Sequence, residues 1–461
     1  MLTFADSAGR LARRGFLRAG ALSLGGLSLP GLLAHAAADP QRLLTGRSVI
    51  FLFLHGGPSQ FETFDPKMSA PAEIRSTTGE IPTAIPGLTF GSSFPKLAQL
   101  ADRLTIVRSF TTGDARHDIK PIVSRHTGGA NLSSYYARVA GATDPTSGMP
   151  RTALLFPRAV NTSAGPEQTQ FGRFDSTGAL GSGCAPFVPG AGGDLQRDMQ
   201  LNLSIDRLDD RRALLGELDR VRWLFDATGQ AGSLDKLREQ AFSSVLNGVS
   251  KAFDLAREEP RVIERYDTAP LVQPDQIDRK WKNYEHYCDN AKSLGKLLLL
   301  ARRLCEAGAG FVTVTTNFVW DMHADVNNAH CAEGMRYMGP PLDHAVSALV
   351  EDLHQRGLSD RILLVCCGEM GRTPRLNAHG GRDHWGNLAP LLLAGGGLRM
   401  GQVIGQSTRD GSQPLTEPIK IPNLVATILE RLVDPAELRL VRGMPNEVVQ
   451  AATAAPIPGL L

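Results

Sequence analysis

The run Ile362-Leu363-Leu364-Val365-Cys366-Cys367 constrains this chain more than any other segment. Six consecutive apolar residues leave no polar face, so a strand made of them must be covered on both sides. That calls for helices above and below a parallel sheet. Residues 47–54, 104–110, 152–157, 311–316 and 390–394 read as further strands. Between them, helices are expected over 115–125, 209–224, 234–255, 279–305, 341–356 and 421–432. Ser233 is placed to cap the helix that follows it. Residues 156–193 are rich in Gly, Pro, Ser and Thr and read as an irregular excursion. The alternation predicts an α/β fold, a three-layer α/β/α sandwich with a mostly parallel central sheet. The helical stretch 205–303 is either an insertion or a layer covering one sheet face.

In a parallel sheet all strands end at one edge, which is where open α/β folds bind ligands. Polar clusters follow four of the runs. His55-Gly56-Gly57-Pro58-Ser59 and Glu62-Thr63-Phe64-Asp65 follow the first. Thr111, Thr112, Asp114 and His117 follow the second. Trp320-Asp321-Met322-His323 follows the strand at 311–316. Gly368-Glu369-Met370-Gly371-Arg372-Thr373-Pro374 and Gly380-Gly381-Arg382-Asp383-His384-Trp385-Gly386 follow the run at 362–367.

The chemistry of these clusters is specific. Asp321 and His323, two residues apart, can face one ion from an extended segment. Glu369 and His384 form a second carboxylate–imidazole set. Mixed Asp, His and Glu donors suit zinc, manganese or iron, so one or two divalent ions, zinc or manganese first, are expected. Two ions could activate a nucleophile and neutralise a phosphoryl or sulfuryl oxygen. Arg372 or Arg382 could hold the remaining ester oxygens bidentately. Arg372 can equally be an ion-pair partner of Glu369. Thr112, and His117 beside it, stand at the start of the helix expected at 115–125. A helix N-terminus favours an anion, which makes Thr112 a candidate nucleophile, with a simple capping role as the alternative.

The N-terminus carries Arg13-Arg14-Gly15-Phe16-Leu17-Arg18, close to the twin-arginine export consensus. A Gly- and Ser-diluted apolar stretch and Ala34-His35-Ala36, a small-residue cleavage site, follow it. Residues 1–36 are therefore expected to be a signal peptide, and the twin-arginine machinery a partner. That stretch is too short and glycine-rich for a stable membrane span. The expected location is periplasmic or extracellular. The chain carries a formal charge of +2, and the first 36 residues hold three more arginines than acids. The remainder is nearly neutral, which gives no case for nucleic acid as a partner. The six cysteines include no C-x-x-C pair, so a structural zinc knuckle is not expected.

The strand with HGGPSQFETFDPK, the WDMH segment, GEMGRTPRLN and GGRDHWG together resemble an exported bacterial family, domain of unknown function fifteen-oh-one. The resemblance extends to the RRALL and EEPRVIERYD pieces. That family is placed in the alkaline phosphatase-like superfamily of phosphatases, sulfatases and phosphomutases. The resemblance implies a single such domain over residues 46–461 and a metal-supported site. It casts Asp321 and His323 as a first-metal pair and His384 as a late histidine ligand. Glu369 resembles the carboxylate of an Asp-His-Gly motif, with Met370 where a histidine ligand would stand. Asp65 or His55 would supply the ligand after the first strand. Cys184-Ala185-Pro186-Phe187-Val188 lacks the arginine of the formylglycine sulfatase motif, against a standard sulfatase.

Two readings follow. One is an exported, metal-dependent hydrolase acting on a small-molecule or polymer phosphate or sulfate ester. The other is a non-catalytic exported binding or assembly protein that retains the fold.

Overall fold

The computed structural model describes residues 43–190 and 249–460. The expected signal peptide, the 209–224 helix and most of the 234–255 helix lie outside the described residues.

Seven strands form the central sheet: β1 (Ser48–Phe53), β2 (Thr105–Val107), β3 (Thr152–Leu155), β4 (Phe311–Thr315), β5 (Ile362–Cys367), β6 (Leu391–Gly395) and β7 (Gln402–Ile404). Their order is β7-β2-β6-β5-β1-β4-β3. Every pairing is parallel except the two made by β6. β5 is the central strand and β1 lies beside it, its Phe51 opposite Thr313 of β4 and Val365 of β5.

The uninterrupted apolar runs are explained by two separate cores. Ile50, Leu52, Leu364 and Cys366 point into one, and Val49, Phe51, Phe53, Leu363 and Val365 into the other. The first core is closed by helices α2 (Tyr284–Glu306) and α3 (Cys331–Gln355). The second is closed by α1 (Leu132–Ala140), α4 (Ile421–Leu432) and α5 (Asn446–Thr453). Alternate side chains of one strand thus fill opposite layers, as a doubly covered sheet requires. The fold is the expected three-layer α/β sandwich.

Several expectations are corrected. The helix at 115–125 is absent: Pro121 has no amide hydrogen to donate, and residues before proline disfavour the α region. Instead Lys120 is buried and donates to Asp114 Oδ1 at 2.8 Å and to the Arg116 carbonyl at 2.8 Å. The stretch before α1 holds only a short 3₁₀ turn, Arg125–Thr127. α3 starts ten residues before the expected 341, capped by His330, and runs through Pro340 and Pro341. The run at 390–394 forms a strand, but an antiparallel one. β7, α1 and α5 were not expected. Of the 205–303 stretch, the described part includes a short helix, Pro260–Tyr266, and α2; Tyr266, Tyr287 and Leu294 belong to the first core. Described residues of this stretch therefore form part of the layer over one sheet face.

Candidate metal centre

Six of the seven strands, all but β6, end at the same edge, and the loops that follow β1, β2, β4 and β5 build one polar cluster there. The β1 loop comes first. Gly56 has φ +116, and a Cβ on it would meet the Asp321 amide at 2.6 Å. Only glycine lets this loop lie against the loop after β4. The Gly56 amide donates to Glu369 Oε1 at 2.9 Å, joining the β1 and β5 ends.

The β5 loop turns back as a hairpin. Gly371–Arg372 pairs antiparallel with His384–Trp385, with Arg372 opposite His384. Its tip grips the WDMH segment: the Asn377 side chain donates to the His323 carbonyl at 2.9 Å, and the Arg382 amide to the Met322 carbonyl at 3.1 Å. The loop carrying His117 is fastened to the same hairpin, since the Thr112 and Gly113 amides both donate to the Gly386 carbonyl at 3.1 Å.

Asp321 sits at the floor, 4 % exposed. Its Oδ1 accepts from Arg372 Nη2 at 2.6 Å and lies 3.2 Å from His384 Nε2 and 3.4 Å from His117 Nε2. Its Oδ2 is 2.9 Å from His323 Nε2 and accepts from the Asn328 amide group at 3.3 Å. Burial alone would raise the Asp321 carboxyl. The Arg372 charge and hydrogen bonds from His117, His323 and His384 outweigh it and hold the group well below the usual range.

His117 Nδ1 is 2.9 Å from Glu369 Oε1. That oxygen already accepts from Gly56, so the proton of the contact belongs to His117 Nδ1, and Nε2 faces the cluster. Burial opposes charge on this ring, but Asp321 and Glu369 together raise its pKa. The His117 and His384 Nε2 atoms are only 2.9 Å apart. His323 is also raised, by its bond to Asp321 against the cost of burial. His323 and His384 are half-buried and form the open side.

The donor atoms of His117, Asp321 and His384 lie within 4.8 Å of one another. The edges of the triangle are 2.9, 3.2 and 3.4 Å. Two ligands each about 2.0–2.1 Å from a tetrahedral ion stand about 3.3 Å apart, so this set fits a divalent cation. Two imidazoles and a carboxylate are donors suited to zinc or manganese. Glu369 behind His117 is the carboxylate that commonly fixes the tautomer of a ligating histidine.

The nine residues singled out from sequence have these positions. His117, Asp321, His323, Glu369 and His384 converge; Glu369 stands behind His117, not among the three closest donors. Asp65 does not join them. Ser407 Oγ donates to it, and Lys67 and Arg108 lie 3.3 and 3.5 Å away. Thr112 is buried, and its hydroxyl donates to the Asp114 carbonyl at 3.4 Å, without the expected helix behind it. Arg372 reaches the cluster, but as an internal cation. It is 1 % exposed, its Nε donates to the Gly57 carbonyl at 2.7 Å, Nη1 to the Arg382 carbonyl at 3.2 Å and Nη2 also to Gly56. Arg382 is wholly buried, paired with Glu62 at 3.2 Å, donating to the Ile74 and Arg75 carbonyls at 2.8 and 2.9 Å, and stacked over Phe61. Neither arginine is free to hold an ester oxygen.

The HGGPSQFE motif serves the same scaffold. Gln60 makes a two-bond bridge to the Arg372 backbone, at 2.8 and 2.9 Å, and Glu62 takes Arg382. His55, the alternative to Asp65, is buried among Phe53, Phe171, Phe174 and Phe318. Its Nε2 has no hydrogen-bond partner among the described residues, and burial pushes its pKa down to about 4. Asn328, Asn377 and the ring pair Phe171–Phe318 beside His117 carried no sequence signal.

A family profile described as "Protein of unknown function (DUF1501)" matches residues 46–454. No curated protein matches the chain in sequence. Among solved structures, a sulfatase from Pseudoalteromonas sp. aligns at 12 % identity and TM-score 0.38, over 87 % of this chain and 70 % of that one. A phosphonate monoester hydrolase from Silicibacter pomeroyi aligns at 10 % identity and TM-score 0.33, over 84 % and 73 %. That of Agrobacterium radiobacter aligns at 10 % identity and TM-score 0.32, over 84 % and 74 %.

Proposed function

As the chain belongs to the DUF1501 family, whose activity its description leaves open, we propose that it is an exported, metal-dependent hydrolase of phosphate or sulfate esters. One divalent ion, zinc or manganese, is held by His117, Asp321 and His384. The observation that carries this is the triangle of their three donor atoms at a parallel sheet edge. The resemblance of the motifs to the alkaline phosphatase-like superfamily supports the same class.

When bound, such an ion would withdraw charge from an ester oxygen. Water would supply the attacking oxygen, and the chain's own residues hold the site and move its protons. Arg372 keeps Asp321 ionised and fixed. Glu369 orients His117. His323, on the open side and bonded to Asp321, is the group placed to pass a proton to a leaving oxygen. Thr112 and Asp65 are left out of this scheme. Export rests on the twin-arginine pattern of residues 1–36. Among the described residues no helix is long and apolar enough to cross a membrane.

The test is a panel of aryl phosphate mono- and diesters and aryl sulfates, assayed with the mature protein loaded with zinc or manganese. Turnover is expected, and it is expected to vanish in Asp321→Ala. A fully metal-loaded protein that turns over no member of the panel would instead favour the non-catalytic binding protein. The engagement of both arginines inside the fold is the observation on that side.

A further inference from the structure

The carboxylates of the centre are already committed on their outer flanks. Asp321 gives Oδ2 to His323 and Asn328 and one side of Oδ1 to Arg372. Glu369 accepts from the Gly56 amide with both oxygens and meets His117 with Oε1. A two-ion centre sets its ions about 3.5–4 Å apart and needs a carboxylate to bridge them or a second ligand set. The one carboxylate facing the imidazole pair has a guanidinium 2.6 Å away, where a bridged second ion would lie. This guanidinium cannot swing out. It is enclosed, and the carbonyls of Gly56, Gly57 and Arg382 accept from it. Arginine also stays charged in proteins, so neither a chelator nor acid removes this cation.

We infer that the centre takes a single exchangeable ion, and that Arg372 is its permanent second cation. This rests on the metal-dependent reading above and narrows it. An oxyanion ester reaching the site would meet the one ion that His117, Asp321 and His384 would hold, with the Arg372 guanidinium behind Asp321 as the other cation. Charge supports the count: two carboxylates and one guanidinium leave a single negative charge for the ion to meet.

The test is equilibrium titration of the metal-free full-length protein with Mn²⁺, with the electron paramagnetic resonance spectrum recorded at saturation. One tight Mn²⁺ per chain, with the spectrum of an isolated ion and loss of that ion in His384→Ala, is the expected result. Two ions per chain with a mutually coupled spectrum would overturn the single-ion centre while leaving metal dependence in place. A single ion that survives His384→Ala lies elsewhere and also overturns it. A chain that binds no Mn²⁺ and no Zn²⁺ removes the metal-dependent reading itself.

Discussion

Two charge clusters in this molecule look alike in composition and differ in what they leave undone. On the helical side, Glu258, Glu306 and Asp352 face Arg302, Arg303 and Arg356. Arg302 is 2.8 Å from Glu258 and 3.1 Å from Asp352, Arg303 is 2.8 Å from Glu258, and Arg356 is 3.0 and 2.8 Å from Glu258 and Asp352. Arg356 also lies 3.7 Å from Glu306, and the Tyr266 hydroxyl closes the set on Asp352 at 3.0 Å. With Arg265, 3.7 Å from Asp352, three acids meet four arginines that cannot release their charge, and the cluster ties α2 to α3. At the sheet edge, Asp321 meets one arginine, Arg372, Glu369 meets none, and their other charged partners are imidazoles. Imidazoles exchange protons near neutrality and ligate metals, which guanidinium groups do not. A cluster whose acids are all met by arginines holds the fold together. A cluster short of one charge, lined with imidazoles and open on one side, is poised to take up a cation.

The contrast can be broken most forcefully on the helical side. Arg302→Met leaves buried carboxylates without their central partner and is expected to cost about 3–5 kcal/mol of stability. Metal uptake at saturating ion should be unchanged in the folded fraction. Denaturant unfolding and metal analysis on one sample would show this; an equal loss of both would mean the clusters are not independent.

Acid tests the wall beside the centre. His55 is held down at about 4 from its ordinary value of 6.5, because burial disfavours its charged form. A lowered pKa gives stability that is present above 6.5 and lost as pH falls toward 4. The span corresponds to roughly 3 kcal/mol. His55→Phe, among phenylalanines, should flatten this part of the pH–stability curve; an unchanged curve would show that His55 does not titrate against folding.

His384→Ala should do the reverse of Arg302→Met. Its side chain is a third exposed, so stability should change by less than about 1 kcal/mol. Ion affinity should fall roughly 100-fold or more, since even outer partners of a metal are worth 10- to 100-fold. Isothermal titration with Zn²⁺ measures it. Glu369→Gln is milder: the ligands stay, but His117 loses the anion that fixes its tautomer, and affinity should drop about 10- to 100-fold. If Glu369→Gln matches or exceeds His384→Ala, Glu369 is a direct ligand rather than the group behind His117.

How far the sequence shows these features depends on where the partner lies. Strands β1, β4 and β5 are plain because each is an apolar run buried on both faces, and α4 is plain because Ile421 to Leu432 keeps one apolar stripe. β7 is short and half-buried, so no pattern marks it. Pro340 and Pro341 hid the first ten residues of α3, which tertiary packing keeps helical. At the centre, Asp321, His323, His384 and Glu369 stand out because carboxylates and imidazoles after buried strands are conspicuous. The roles of Arg372 and Arg382 do not, because their acceptors are largely backbone carbonyls of Gly56, Gly57, Ile74 and Arg75, and a carbonyl leaves no mark on residue type. Thr112 misled for a related reason: its importance was borrowed from a helix that Pro121 prevents.

Anomalous diffraction from crystals of the protein soaked in Zn²⁺, recorded at the zinc edge, tests the central claim most directly. The expected result is one peak about 2.0–2.2 Å from His117 Nε2, His384 Nε2 and an Asp321 oxygen. A fully soaked crystal with no peak at that triangle, or with its peak on other residues, would contradict it.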